Sequence, residues 1–336
     1  MGQKFIVDRD DTLLSFLFRM FPGRGKTGVK KVLASGQVTI GGASVTAFDH
    51  PLRKGDVVVI LPKEVSIARK VRGDAADALS KSGVSIAYED AHLLVVDKPS
   101  GLLTISTGSG KVGKTLDKRE KTLYALLNDY VKKSAAVDRK EALASGQSID
   151  RGTRKVWIVH RLDKGTSGLV LFAKDERTKD ILQSKWKELI LERTYTAFVE
   201  GCPSPGKGSV QSWLVENPKS LKMRSFQEEV KDGQLAITHY KTLGHVFRRG
   251  KILYSKLEFS LQTGRKNQIR VHAADLGHPI AGDEKYGAET DPAGRLALHA
   301  ATLVFRNPYG KDIIRLESPV PEDLGVFERA LSETLR

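Results

Sequence analysis

The chain holds one cysteine, Cys202, in 336 residues. A single thiol excludes an intramolecular disulfide and any Cys-rich zinc site. It fits a reducing, cytosolic setting best. The eight histidines are scattered without a metal-ligand spacing such as H-E-x-x-H, so a metallohydrolase has no support. Long apolar runs are missing too, since none approaches the roughly 20 residues that cross a bilayer. Met1-Gly2-Gln3-Lys4 lacks the apolar core of a signal peptide. The reading is a soluble, non-exported, cytoplasmic protein.

Acidic residues are the minority charge. Lys and Arg outnumber Asp and Glu by 55 to 40, a formal +15 at neutral pH. A polyanion is the simplest partner for that excess, because basic groups gain by releasing the counterions of a phosphate backbone. The length suggests two or three domains, with room for one large core and a small module.

Residues 10–63 read as the small module. Asp11 or Thr12 can cap a helix with Leu13, Leu14, Leu17 and Phe18 on one face. A second helix, about Lys26 to Ala34, turns Val29, Val32 and Leu33 inward and leaves a basic face, and Gly36 stops it. Short strands follow at Gln37–Ile40, Ala43–Thr46 and Asp56–Leu61, with turns at Gly41-Gly42 and Lys54-Gly55. The runs Ala34 to Gly42 and Leu52 to Val59 resemble an S4 RNA-binding domain. That resemblance implies an RNA face built from Arg24, Lys26, Lys30 and Lys31; the alternative is a solvated charged helix. Residues 64–83 are polar, without a sustained period, and read as a flexible linker.

Residues 84–325 read as a second, larger domain. Ser85 to Tyr88 and Leu93 to Val96 form paired strands, closed by Asp97-Lys98-Pro99-Ser100-Gly101-Leu102. Residues 108–115, Gly108 to Thr115, fit the phosphate-loop pattern G-x-x-x-x-G-K-[ST] in full. A phosphate cradle, however, needs a strand directly before it and a helix beginning at its Lys-Thr. Here the stretch before it is short, and Leu116 to Lys121 give the first turns no buried face. Nucleotide binding through Lys114 is therefore the minor reading. The helical pattern begins at Thr122, with Leu123, Leu126, Leu127 and Tyr130. Residues 132–155 read as a polar, basic surface insertion. A helix is expected from Asp175 to Lys187, a strand over Glu192–Gly201, and an antiparallel pair at 235–245 and 252–262. Many hairpin-linked strands with few helices argue for a mixed, largely antiparallel sheet and against a doubly wound fold.

The stretch His160-Arg161-Leu162-Asp163-Lys164-Gly165-Thr166-Ser167-Gly168 organises the rest. It carries one carboxylate in a tight loop and runs into an apolar strand, Leu169 to Ala173. The lip of a buried strand is where catalytic groups often sit; the plain alternative is an Asp in a surface turn. The nine residues match the HRLDxxTSG signature of the RluA family of pseudouridine synthases at all seven fixed positions.

Further blocks extend the resemblance in family order. Asp97 to Leu102 is similar to NKPxGL, Arg193 to Gly201 to KxYxAxVxG, and Thr263 to His272 to TGRxHQIRxH. Gly277 to Gly287 is similar to GHPIxGDxxYG, and Leu296 to Ala300 to LxLHA. The clearest departure is Asn267, which stands where His is usual.

The resemblance implies an α+β enzyme that isomerises uridine to pseudouridine in RNA, without metal, cofactor or energy source. It makes Asp163 the nucleophile, with attack on the sugar, attack on the base and an elimination all open. Arg270 becomes its cationic partner, and Tyr195 the ring that stacks on the flipped uracil; the alternative for Tyr195 is a core tyrosine on a strand. Arg161 becomes the side chain that enters the RNA stack in place of the flipped nucleotide. Leu298, with a core leucine as its alternative, and Arg265 join the RNA-contacting candidates, and Asn267 is expected beside the chemistry. The expected target is large-subunit ribosomal RNA, with tRNA second, and the expected state is a monomer. The rival reading is a non-catalytic S4-type RNA-binding protein.

Overall fold

From Ser85 onward the chain alternates apolar and polar residues over runs too short for buried helices, and those runs pair edge to edge. The computed structural model describes residues 3–106, 121–145 and 155–334. They fall into two compact units, one of residues 1–82 with 126–156 and one of residues 83–125 with 157–336.

The second unit is built on one sheet. Its strands lie in the order Met223–Phe226, Lys207–Glu216, Gln234–Arg248, Lys251–Leu261, Ile190–Glu200, Leu298–Arg306, Ser167–Ala173, Leu93–Lys98 and Ser85–Glu89. Ile313–Glu317 and Trp157–Ile158 pair beside this path. The mixed, mainly antiparallel architecture expected from the hairpin pattern is what forms.

The central strand Ser167–Ala173 is buried at every position, as a continuous apolar run covered on both faces should be. It makes the one parallel ladder among the described strands, pairing Ser167 with His299 and Gly168 with Ala300. Gly168 has φ +109°, and a Cβ there would lie 2.2 Å from the Ala300 carbonyl oxygen. Only glycine permits that approach, so one signature glycine is a packing requirement of the sheet.

The sheet buries separate clusters along its length. Leu93, Val95, Leu169, Leu171, Leu303 and Phe305 pack with Leu182 and Leu189 from the helices Glu176–Ser184 and Trp186–Leu189. The helix expected over 175–187 is thus broken at Lys185. Asp175 caps its first segment by accepting from the Thr178 amide. A second cluster joins Leu214, Met223 and Ala236 to Val271 of the helix Gln268–Asp275. His272, on that helix, is buried and pairs with Thr238 Oγ1 at 2.7 Å and Ser212 Oγ at 3.0 Å.

In the first unit, helices Leu13–Met20 and Lys26–Ala34 cover an antiparallel sheet ordered Gln3–Ile6, Val57–Ile60, Val38–Ile40, Ala43–Ser44. Leu13, Phe16, Leu17, Val29, Leu33, Val38 and Val58 form its core. Arg24, Lys26, Lys30 and Lys31 are exposed.

Two expectations need correction. Residues 64–83 were expected as a flexible linker, yet Lys63–Lys81 is helical. The helix opening near Thr122 continues over Leu123–Ser145, into the stretch expected as a surface insertion. Residues 108–115 lie outside the described residues. No helix among the described residues is long and apolar enough to cross a membrane.

Gly168→Ala is expected to lower unfolding stability by about 3 kcal/mol or more, combining overpacking with a disfavoured φ. Denaturant titration followed by tryptophan fluorescence checks it. Burial pushes His272 down to about 4. The unfolded chain therefore binds more protons than the folded one between pH 6.5 and 4, and stability falls as pH drops through that window. At pH 5.5 His272 is expected to contribute a loss of about 1 kcal/mol relative to pH 7.5. A His272→Gln variant should show a shallower acid slope in the same titration.

Candidate active site

The loop carrying Asp163 is tied down through its backbone. Thr104 Oγ1 donates to the Leu162 carbonyl at 2.8 Å, the Gly101 amide to Lys164 O at 2.9 Å, and Ser100 Oγ to Gly165 O at 2.7 Å. Lys98, fully buried, donates from Nζ to Pro99 O, Leu102 O and Lys164 O at 3.0, 2.9 and 3.2 Å. Burial first, then the charge of Arg295, pulls this lysine down to about 7, against the opposing influence of Asp163 and Asp97.

At the loop's other end His160 Nε2 accepts from the Leu171 amide at 3.0 Å. Burial, helped by Arg193, holds His160 down to about 3, so it stays a neutral acceptor. These contacts explain why the signature surrounds its carboxylate with small and hydroxyl residues, which let neighbouring segments reach the loop carbonyls.

Opposite Asp163 stands the start of the helix Gln268–Asp275. Arg270 Nη1 approaches Asp163 Oδ2 at 3.5 Å, so the expected partnership is present but long. The guanidinium's close partner is Asp283, which accepts from Nε and Nη2 at 2.7 Å each. This fork fixes the plane of the guanidinium and aims its remaining nitrogen at Asp163. Arg270 also lies 5.0 Å over the Tyr286 ring. Burial alone would lower the Arg270 pKa, but the Asp283 hydrogen bonds and charge outweigh it and raise it.

Asp163 opens onto a cleft lined also by Leu103, Thr104, Ile105, Asn267 and five cationic side chains, Arg161, Lys164, Lys266, Arg270 and Lys285. One carboxylate inside a cationic rim suits a polyanion whose reacting group is uncharged. Lys285 Nζ donates to Leu221 O at 2.7 Å, and Lys266 pairs with Glu216.

Of the residues expected at the site, Asp163, Arg161 and Arg270 come together here. Tyr195 is buried on the strand Ile190–Glu200 opposite Ala300. Its hydroxyl pKa is raised by burial, with Arg193 opposing and the Asp163 charge adding to the rise. Leu298 is buried on the neighbouring strand, opposite Ala197. Arg265 is exposed and donates from Nε to Leu235 O at 3.0 Å, and neither it nor Tyr195 nor Leu298 is among the lining residues.

Sequence reasoning gave no role to Asp283, Tyr286, Lys266 or Lys285. The first two stand inside the GDxxYG block, whose fixed acid and ring were the available signal.

Residues 92–275 match the sequence pattern of the family described as RNA pseudouridylate synthase. An uncharacterized RNA pseudouridine synthase of Bacillus subtilis, YhcT, is 33% identical over 274 residues, covering 81% of this chain and 78% of that protein. The ribosomal large subunit pseudouridine synthase D of Xylella fastidiosa is 33% identical over 333 residues, covering 94% and 88%. Among solved structures, human RNA Pseudouridylate Synthase Domain Containing 4 superposes with a TM-score of 0.56 at 21% identity, over 79% of this chain and 97% of that one. That likeness shows the shared fold. With more than half its length matching the family pattern, and relatives of this identity and coverage, the chain belongs to the RNA pseudouridylate synthase family.

Proposed function

We propose that this pseudouridine synthase isomerises uridine in large-subunit ribosomal RNA, with Asp163 as its nucleophile on a nucleotide flipped out of the RNA. The observation that carries this reading is a single carboxylate, Asp163, held on a tied-down loop inside a rim of five cations. The reaction breaks the bond from ribose C1′ to uracil N1 and forms one from C1′ to C5. The C5 proton is lost and N1 gains one, so no electron donor or acceptor is consumed. A carboxylate suits the electron-poor C1′ centre, and Arg270 balances its charge from one side.

Arg161, exposed at the mouth of the cleft, fills the gap left in the RNA stack, which offsets part of the unstacking cost. Tyr195 stacks on the flipped uracil, and Leu298 packs in the uridine pocket. The ribosomal target is favoured by the relative named ribosomal large subunit pseudouridine synthase D, which matches nearly the whole chain; tRNA is the second choice. In the S4-like N-terminal module, residues 10–63, the exposed Arg24, Lys26, Lys30 and Lys31 add affinity through phosphates. The enzyme acts as a monomer.

Wild-type and Asp163→Asn protein are incubated with total RNA from a strain lacking the gene, and pseudouridines are mapped by carbodiimide labelling. New sites are expected with wild type alone. RNA binding by both proteins without new sites would favour a non-catalytic RNA-binding protein. For the module, Lys26→Ala/Lys30→Ala/Lys31→Ala is expected to weaken RNA binding. It should also reduce the slope of log affinity against log salt by about 2, as loss of about three phosphate contacts requires. Filter binding across a salt series reads both.

A further inference from the structure

The Asn267 side chain comes closer to the Asp163 carboxylate than Arg270 does. With the amide turned so that its nitrogen faces the carboxylate, that nitrogen lies 2.7 Å from Asp163 Oδ2 and 3.1 Å from Oδ1, and the amide oxygen accepts from the Tyr286 hydroxyl at 2.9 Å. The opposite amide orientation would set an oxygen 2.7 Å from a carboxylate oxygen. That repulsion outweighs the 3.3 Å approach of Arg270 Nη1 that it would satisfy.

The Tyr286 hydroxyl is compatible with this orientation. It accepts from the Met223 amide at 3.1 Å, and its own proton is available to the Asn267 oxygen. A directed relay results, from the Met223 amide through Tyr286 and Asn267 to Asp163.

The backbone presents the amide in the same way. Asn267 sits at φ 55°, ψ 19°, as the N-cap of the helix Gln268–Asp275. Asn is one of the few residues with a side chain that occupies this left-handed region readily. Next to it Gln268 is fully engaged. Its Oε1 accepts from Thr263 Oγ1 and the Arg265 amide, and its Nε2 donates to Ile237 O and Thr238 Oγ1, all at 2.8 to 2.9 Å. The turn before the helix therefore has little freedom to move the amide away.

We infer that Asn267 is a positioning residue whose neutral amide orients the Asp163 carboxylate for attack. Arg270, at 3.5 Å, supplies charge, whereas Asn267 supplies direction. The kinetic part of this inference rests on the proposed role of Asp163; the contact itself does not.

Asn267→Gly removes the amide and keeps the left-handed backbone. Asn267→Asp keeps the size but turns a carboxylate oxygen toward Asp163. In single-turnover assays on total RNA from a strain lacking the gene, Asn267→Gly is expected to slow pseudouridine formation about ten-fold, or about 1.4 kcal/mol of barrier. Asn267→Asp should slow it further. Half-saturating RNA concentration should change by less than about two-fold, the limit below which a shift falls under roughly 0.4 kcal/mol. Wild-type rates in both variants, or rates that fall in step with RNA affinity and thermal midpoint, would overturn the inference.

A substrate-free arm reads the contact directly. In 15N-labelled protein the Asn267 side-chain amide signal, identified by its loss in Asn267→Gly, should move strongly in Asp163→Ala. An unmoved signal would sink the contact. Wild-type protein that makes no pseudouridine would instead count against the proposed activity, with the amide signal still deciding the contact.

Discussion

The buried Lys98 ammonium is the interaction on which the site depends. It gathers three carbonyl oxygens, two from the turn after its own strand and one from Lys164, next to the reactive carboxylate. Carbonyl groups in such turns have no ladder to join, and the ammonium adds to the Gly101 amide that already reaches Lys164 O. Three donors on one buried atom solve that for two segments at once. The cost is visible in the lysine itself, drawn down to about 7 by its surroundings.

Above that anchor the electrostatics are arranged in sequence. Asp283, buried, takes two of the three guanidinium nitrogens of Arg270, leaving one nitrogen to face Asp163. An arginine without Asp283 could swing to form its own bidentate pair with Asp163 and occupy both carboxylate oxygens. The Asp283 fork prevents this, and the cationic influence stays at the longer range that leaves Asp163 open to the cleft. Tyr286 contributes twice, with its ring under Arg270 and its hydroxyl on Asn267.

Much of the fold was legible because it follows local rules. The pair at 235–245 and 252–262 alternates in burial, the strand at 192–201 is rich in β-branched and aromatic residues, and the nine residues around Asp163 carry a specific signature. The helix Lys63–Lys81 was not legible. Val65, Ala68, Val71, Ala75 and Leu79 do recur at helical spacing, but alanines and the charged residues between them give the stripe little apolar weight. The break at Lys185 escaped because apolar spacing continues across it. At the site, Asp163 and Arg270 could be named from their motifs, but Asp283 could not be given a role. Its partner lies thirteen residues earlier on a helix, and only the folded turn brings the two together. Asn267 read as a departure at the edge of the chemistry, because no local pattern reveals that a left-handed residue aims its amide across the cleft.

The cationic rim has a consequence for turnover. Uridine and pseudouridine have the same composition and charge, and the phosphates flanking them are untouched by the reaction. Contacts of the rim cations Arg161, Lys164, Lys266 and Lys285 to a backbone, if made on the proposed substrate, would hold product as firmly as substrate. The rim cannot tell the enzyme that its work is finished. Release must draw on something outside the cleft, such as the modified strand folding back into its own stacked structure, so the departing RNA sets the pace at which the enzyme becomes free again.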